Sequence, residues 1–132
     1  MSGPATPEEI RALYRADLGE VPPSVECGLS VIPEAIAHYV SLRRYLDGLA
    51  EGDGLPRPYA SLVFALLDIA ERNYDGALNH SRAALNHGLT WTELMHGYVQ
   101  TWVVKGFATS WGTVGWRVVE QLVKEGYGPA DG

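Results

Sequence analysis

The chain has 132 residues, of which 46% are hydrophobic and 20% are charged, an ordinary balance for a globular protein. This length suffices for one domain with a buried core, predicted over residues 1–132, and is too short for two. The net charge of -6 argues against a nucleic-acid partner, and no apolar stretch is long enough and free enough of charge to span a membrane.

The first part of the chain carries signals for three helices. Thr6 can cap a helix that begins with proline and two acids, which predicts a helix over residues 7–18 that ends near Gly19. A short helix is expected around residues 24–29. Pro33 opens the third helix, whose apolar residues recur at helical spacing.

The middle of the chain predicts a loop followed by two helices. Residues 48–58, GLAEGDGLPRP, are rich in glycine and proline and indicate a loop. The apolar run at residues 59–71 is long and rich in alanine and leucine, which favours a buried helix over a strand. A further helix is expected over residues 73–86, and Gly88 stands where a left-handed residue commonly ends a helix.

The last part of the chain predicts two more helices. Thr90 and Glu93 form the pattern of a capping box, which begins a helix that continues to about Lys105. The final helix is expected over residues 108–124, and residues 125–132 are expected to be a frayed tail. The predicted fold is therefore all-α with about six helices.

A single cysteine, Cys27, limits the redox and metal chemistry of the chain. It excludes an internal disulfide, a CxxC pair and a zinc site built from cysteines. The first residues lack a basic segment followed by an apolar core, so no signal peptide is expected. These features together predict a cytoplasmic protein.

His80 is the strongest candidate for chemistry. On a helical wheel it falls near the inner side of the helix at residues 73–86, where small residues leave room around the imidazole. A titratable group in a partly apolar pocket is a candidate acid or base. The alternative is a core histidine that bonds to a backbone carbonyl.

The remaining candidate residues lie on neighbouring segments. His96 shares a helix face with Gln100 and could bond to a ligand with it, or belong to a solvated face or a subunit contact. His80 and His87 are seven residues apart, roughly 10 Å along a helix, which is too far to share an ion readily. No metal site is predicted, since HExxH is also absent.

Residues 77–111, ALNHSRAALNHGLTWTELMHGYVQTWVVKGFATSW, resemble the carboxymuconolactone decarboxylase family, within the superfamily of alkylhydroperoxidase-D-like proteins. The shared pattern is a helix with an inward histidine, then A-L-x-x-G-[LVT]-T-x-x-E-L, then an amphipathic helix that ends at glycine. The similarity extends over about residues 8–125. The matching residues are His80, Ala84, Leu85, Gly88, Leu89, Thr90, Glu93, Leu94 and Gly106.

Several positions depart from the family pattern. The peroxidase-type branch has C-x-x-C where this chain has Asn73 and Gly76, so the resemblance implies neither peroxidase nor disulfide-reductase chemistry. The glutamate of the family's R-E-L element aligns with Ser61, and an acid common in the next helix aligns with His96. His80 is what remains of the family's site, which makes the decarboxylase branch the nearer relative.

The resemblance implies the alkylhydroperoxidase-D-like helical fold and an enzyme that needs no cofactor. Its substrate would be a small organic acid or lactone, and its reaction would be decarboxylase-like or lyase-like. His80 would transfer the proton, and the residues expected to bind the substrate or stabilise an oxyanion are His96, Tyr74 and Ser61.

Two alternatives remain open, and an oligomer is expected in each case. The chain could be a degenerate member that serves as a non-catalytic binding or assembly module, or a hydrolase or isomerase with altered chemistry on the same fold. The resemblance implies a homotrimer or homohexamer. Four tryptophans exceed what one small core needs, which also suggests subunit contacts; they are Trp91, Trp102, Trp111 and Trp116.

Overall fold

A computed structural model of the chain describes residues 4–129, and these residues form helices with no β-strand. The all-α prediction is therefore confirmed. The described residues divide into two compact units, one ending at Leu55 and the other beginning at Pro56. The expectation of a single domain stays a prediction. Within residues 4–129, no helix combines the length and apolar character needed to cross a membrane.

The first unit contains three helices, each of which begins with proline: α1 (Pro7–Leu18), α2 (Pro23–Val31) and α3 (Pro33–Ala50). The predicted cap of α1 is confirmed. The Thr6 hydroxyl accepts from the Glu9 amide while the Glu9 carboxylate accepts from the Thr6 amide, and Gly19 ends the helix with φ 84°.

The three helices enclose a small apolar core that includes Ile10, Leu29 and Val40. Arg11 joins α1 to α2 through a 2.6 Å hydrogen bond from Nε to Glu26. The predicted loop at residues 48–58 begins later than expected, because α3 continues to Ala50. Gly48 lies inside that helix with open space around it, so its lack of a side chain does not end the helix there.

The second unit begins with three longer helices: α4 (Arg57–Ala70), α5 (Tyr74–Asn86) and α6 (Trp91–Lys105). The capping box of Thr90 and Glu93 at the start of α6 is confirmed, and so is the left-handed backbone of Gly88, which has φ 107°. The Tyr59 hydroxyl donates to the Glu93 carboxylate at 2.6 Å, which joins the start of α4 to the start of α6.

Helices α4 and α5 form a tight hairpin. The chain reverses through Arg72, the one described residue other than glycine with a positive φ, at 57°. The Asn73 amide then donates to the Asp68 carbonyl at 2.8 Å. Ala77 and Ala84 of α5 and Ala65 of α4 are completely buried. Such small side chains allow the two helix backbones to lie close together.

The core of the second unit lies between this hairpin, α6 and the last helix, and it includes Leu94, Val118 and Leu122. Two buried hydroxyls satisfy each other there, since the Oγ of Ser81 lies 2.6 Å from the Oη of Tyr98. Burial raises the pKa of Tyr98, so the phenol stays protonated. Because the two buried hydroxyls bond to each other, neither needs a bound ligand as a partner.

The last helical stretch differs from the uniform helix predicted over residues 108–124. It comprises α7 (Phe107–Ser110), a π-helical segment (Trp111–Gly115) and α8 (Trp116–Lys124). The amide of Trp116 donates to the carbonyl of Trp111, five residues earlier, which is the π-helical hydrogen bond. A Cβ added at Gly115 would lie 3.1 Å from the ring of Trp111, so this glycine leaves room for the indole beside the turn.

The segment after α8 is held against α5, contrary to the predicted frayed tail. Arg82 donates to both carboxylate oxygens of Glu125, at 2.7 and 2.5 Å. The Tyr127 hydroxyl donates to the side-chain oxygen of Asn86 at 2.8 Å. Residues 130–132 of the predicted tail lie outside the described residues.

The Arg82–Glu125 pair should make stability depend on pH. Hydrogen bonding from Arg82 lowers the pKa of Glu125, so its stabilisation is present above the usual glutamate pKa of about 4.3 and is lost as pH falls through the folded value. At pH 7 we expect Glu125→Gln to cost about 1 kcal/mol. The melting temperatures of the wild type and of Glu125→Gln, measured by thermal unfolding from pH 7 to pH 3, should converge as the pH falls. A constant difference at every pH would contradict this expectation.

Candidate active site

His80 forms a hydrogen bond with an acid that the sequence pattern did not single out. Its Nδ1 lies 2.7 Å from Oδ2 of Asp68, which stands near the end of α4. The His80 side chain is 24% exposed and that of Asp68 is 21% exposed. The alternative of a core histidine bonded to a backbone carbonyl is therefore wrong, because a partly exposed carboxylate takes that place.

The contact with Asp68 assigns a role to each ring nitrogen of His80. A carboxylate can only accept hydrogen bonds, so Nδ1 carries a proton and donates a hydrogen bond to Asp68. Among the described residues, Nε2 of His80 has no hydrogen-bond partner. Nε2 is thus the ring nitrogen left available to a bound molecule.

The carboxylate of Asp68 is held by the start of α5 as well as by His80. The side-chain amide of Asn73 donates to Oδ1 of Asp68 at 3.3 Å, while its own oxygen accepts from the Gly76 amide at 3.2 Å. A Cβ built on Gly76 would lie 2.7 Å from both Oδ2 of Asp68 and Nδ2 of Asn73. The absence of a side chain at position 76 gives the carboxylate its space.

An apolar ring covers one side of the imidazole. The rings of Phe64 and His80 have centroids 5.1 Å apart and are tilted by 45°. Phe64 stands one turn before Asp68 on α4, and Ser61, which is half-buried, stands two turns before it, roughly 10 Å along the axis. Ser61 therefore shares the α4 face of Asp68 and Phe64, and its role toward a substrate stays a prediction.

The other two predicted substrate-binding residues occupy different surroundings. Tyr74 packs against the core of the second unit, and the guanidinium of Arg117 lies 4.6 Å from its ring centroid. His96 is exposed on α6. In the described part of the chain no hydrogen bond joins His80 to Ser61, Tyr74 or His96, so their roles toward a substrate stay predictions.

Asp68 is the partner of His80 that the sequence analysis missed. The signal was present, because Asp68 is the only charged side chain in α4 after Arg57, within an otherwise apolar helix. A lone acid in such a helix needs a partner to compensate for its loss of solvation. What the sequence could not give is the register of the α4–α5 hairpin, which places that acid opposite His80.

Across residues 4–129, no group of three or more His, Cys, Asp or Glu side chains is arranged to hold a metal ion. The arrangement at His80 is that of an acid–base pair, in which a carboxylate orients the imidazole. Such a pair can take a proton from a bound molecule, or deliver one to it, through Nε2.

Comparisons with known proteins point to one family. The fold is similar to a crystal structure from Burkholderia xenovorans LB400 of a proposed carboxymuconolactone decarboxylase, with a TM-score of 0.78 and 31% sequence identity. The similarity covers 91% of this chain and 93% of that one. Comparison with protein-family models and with curated proteins found no match.

Adding a methyl group at position 76 should displace the carboxylate from His80. In Gly76→Ala the new Cβ would lie 2.7 Å from both Asp68 Oδ2 and Asn73 Nδ2, too close for either side chain to stay in place. We expect a net stability change within about 1 kcal/mol, because alanine's better helix propensity offsets the disturbed hydrogen bonds. A crystal structure of the variant should show Oδ2 of Asp68 beyond hydrogen-bond distance of Nδ1 of His80.

Gly48→Ala is the matched control, because Gly48 is helical and nothing lies within 4 Å of an added Cβ. It should raise stability by up to about 1 kcal/mol and leave the hydrogen bond of His80 unchanged. An intact Asp68–His80 hydrogen bond in Gly76→Ala would show that position 76 does not control the carboxylate.

Proposed function

Because the chain belongs to the carboxymuconolactone decarboxylase family, we propose that it is an enzyme that transfers a proton through His80. Its substrate would be a small organic acid or lactone, and its reaction decarboxylase-like or lyase-like. The observation that carries this proposal is the 2.7 Å contact between Asp68 and Nδ1 of His80, which leaves Nε2 without a partner in the described chain.

The proposed chemistry suits a substrate whose carboxylate stands next to a conjugated carbonyl system. When the bond to the carboxylate breaks, carbon dioxide leaves and its bonding electron pair passes into the conjugated carbonyl, which gives a dienolate. Nε2 of the His80 imidazolium then delivers a proton to carbon, and the neutral imidazole regains a proton from solvent. The substrate itself accepts the electrons, so this route calls for no cofactor.

Asp68 would support this transfer without touching the substrate. Its hydrogen bond would hold the proton on Nδ1, so that proton exchange with a substrate takes place at Nε2. The Phe64 ring beside the imidazole supplies an apolar wall, which would exclude water from one side of the reacting atoms.

Ser61, Tyr74 and His96 are retained as proposed substrate-binding residues, with unequal support. Ser61 has the best position, since it lies on the α4 face that carries Phe64 and Asp68. Its hydroxyl could donate to a substrate carbonyl or developing oxyanion. Tyr74 and His96 have no contact with His80 and would take part only through a longer substrate or a neighbouring subunit.

We further propose that the protein works as a homotrimer or homohexamer in the cytoplasm. The second unit exposes apolar side chains that a monomer would leave in water, including Val103 at 84% and Val104 at 81% exposure. On α4, Leu67 is 59% exposed directly beside Asp68 in sequence. Exposed apolar side chains of this kind favour association, and a contact at Leu67 would bring a second subunit close to His80.

The proposed role of His80 predicts a ligand response in the wild type and a loss of turnover in a variant without the imidazole. Muconolactones and small cyclic carboxylates should raise the melting temperature of the wild type through binding to the folded state. In His80→Gln, turnover of any compound that the wild type converts should fall by about 10²–10⁴, the usual worth of a positioned acid–base group. Asp68→Asn should lower it less, since Nε2 remains present.

Asp75→Asn serves as the control, because Asp75 is an exposed acid of α5 outside the pair. It should behave as the wild type does. Unchanged turnover in a folded His80→Gln protein would refute the proposed role of the histidine. A wild type that binds these compounds and never converts them would favour the binding-module alternative.

The proposed oligomer predicts a solution mass of about three or six times the 14.4 kDa of one chain. Val103→Asp would place a charge in the apolar surface and should lower that mass. Light scattering after size-exclusion chromatography measures it directly. Glu120→Ala, at an exposed position of α8, should leave the mass unchanged. A wild type that elutes only at 14.4 kDa would contradict the proposal.

A further inference from the structure

Asn73 stands where the end of α4 meets the start of α5. It makes three hydrogen bonds there besides the first helical one, in which its carbonyl accepts from the Ala77 amide. Its backbone amide donates to the Asp68 carbonyl at 2.8 Å, its side-chain oxygen accepts from the Gly76 amide at 3.2 Å, and its Nδ2 donates to Asp68 Oδ1 at 3.3 Å. One side chain thus caps α5 and binds the acid that contacts His80.

We propose that Asn73 is a positioning residue, which holds the Asp68 carboxylate so that Oδ2 faces Nδ1 of His80. The inference rests on the proposed function of His80, since it concerns how that residue is oriented. Asn73 touches neither the imidazole nor a substrate in this arrangement and would act only through Asp68.

The cap alone does not explain why this residue is asparagine. Serine, threonine and aspartate also accept a hydrogen bond at the first position of a helix, and cap about as well. None of these can both accept from the Gly76 amide through one side-chain atom and donate to Asp68 through another. Only the asparagine amide has an acceptor and a donor at this length of side chain.

The geometry around the carboxylate shows what the donated hydrogen bond accomplishes. An aspartate carboxylate can rotate about its terminal bond, and this rotation would carry Oδ2 away from His80. Asn73 holds Oδ1, while the missing side chain of Gly76 leaves the space that Oδ2 occupies. The carboxylate is therefore held on one side by a donor and left free of obstruction on the other.

The test is the tautomer of His80 in the ligand-free protein, read from ¹⁵N chemical shifts at a pH where the imidazole is neutral. The wild type should show mainly the Nδ1–H form. Asn73→Ser keeps an acceptor for the Gly76 amide and removes the donor to Asp68. We expect the ratio of Nδ1–H to Nε2–H to fall about fivefold, the change that one net hydrogen bond produces.

A second variant keeps the inference testable if Asn73→Ser does not fold. Asn73→Asp also keeps the cap acceptor, and it places a carboxylate beside Asp68, so repulsion should shift the ratio in the same direction. Thr90→Ala is the control, because it removes the cap of α6 and leaves the three bonds of Asn73 in place. It should lower stability while leaving the His80 tautomer ratio unchanged.

An unchanged tautomer ratio in folded Asn73→Ser and Asn73→Asp would overturn this inference, and so would an equal shift in Thr90→Ala. These outcomes are separate from a failure of the proposed function. The tautomer is measured without substrate, so it can confirm the positioning role even if no compound is ever converted, whereas turnover that survives the loss of His80 would refute the function alone.

Discussion

The hydrogen bond between Asp68 and His80 joins two consecutive helices and sets the chemical character of the second unit. It needs an acid near the end of α4, a histidine two turns into α5 and a reversal that brings them together. A carboxylate in this position removes one ring nitrogen from contact with solvent or ligand. The other nitrogen, Nε2, is left available to a bound molecule, so the ring presents a single nitrogen to a ligand.

The hairpin that forms this hydrogen bond buries several very small side chains. Ala65, Ala77 and Ala84 are completely buried between the helices and the core, and Gly76 admits the carboxylate. Larger residues here would separate the two backbones and carry Asp68 away from His80. The packing of the hairpin and the geometry of the pair therefore depend on the same positions.

Much of the fold could be predicted from local signals, whereas the site could be predicted only in part. Caps such as Thr6 and Thr90 act within one turn of the chain, so the sequence alone reveals where α1 and α6 begin. The inward position of His80 follows from periodicity. Its partner does not, because the pairing with Asp68 depends on how two helices align, and the π-helical turn at Trp111 depends on packing that no local pattern encodes.

The space beside Gly76 makes positions 68 and 76 interdependent in mutation. A Cβ at position 76 would lie 2.7 Å from Oδ2 and 2.8 Å from Cγ of Asp68, so a side chain there forces the carboxylate or its neighbours to shift. We therefore expect the two positions to be epistatic, so that a change at one alters the effect of a change at the other. Replacing this carboxylate by a group of different size, in evolution or in design, would therefore call for a matching change at position 76.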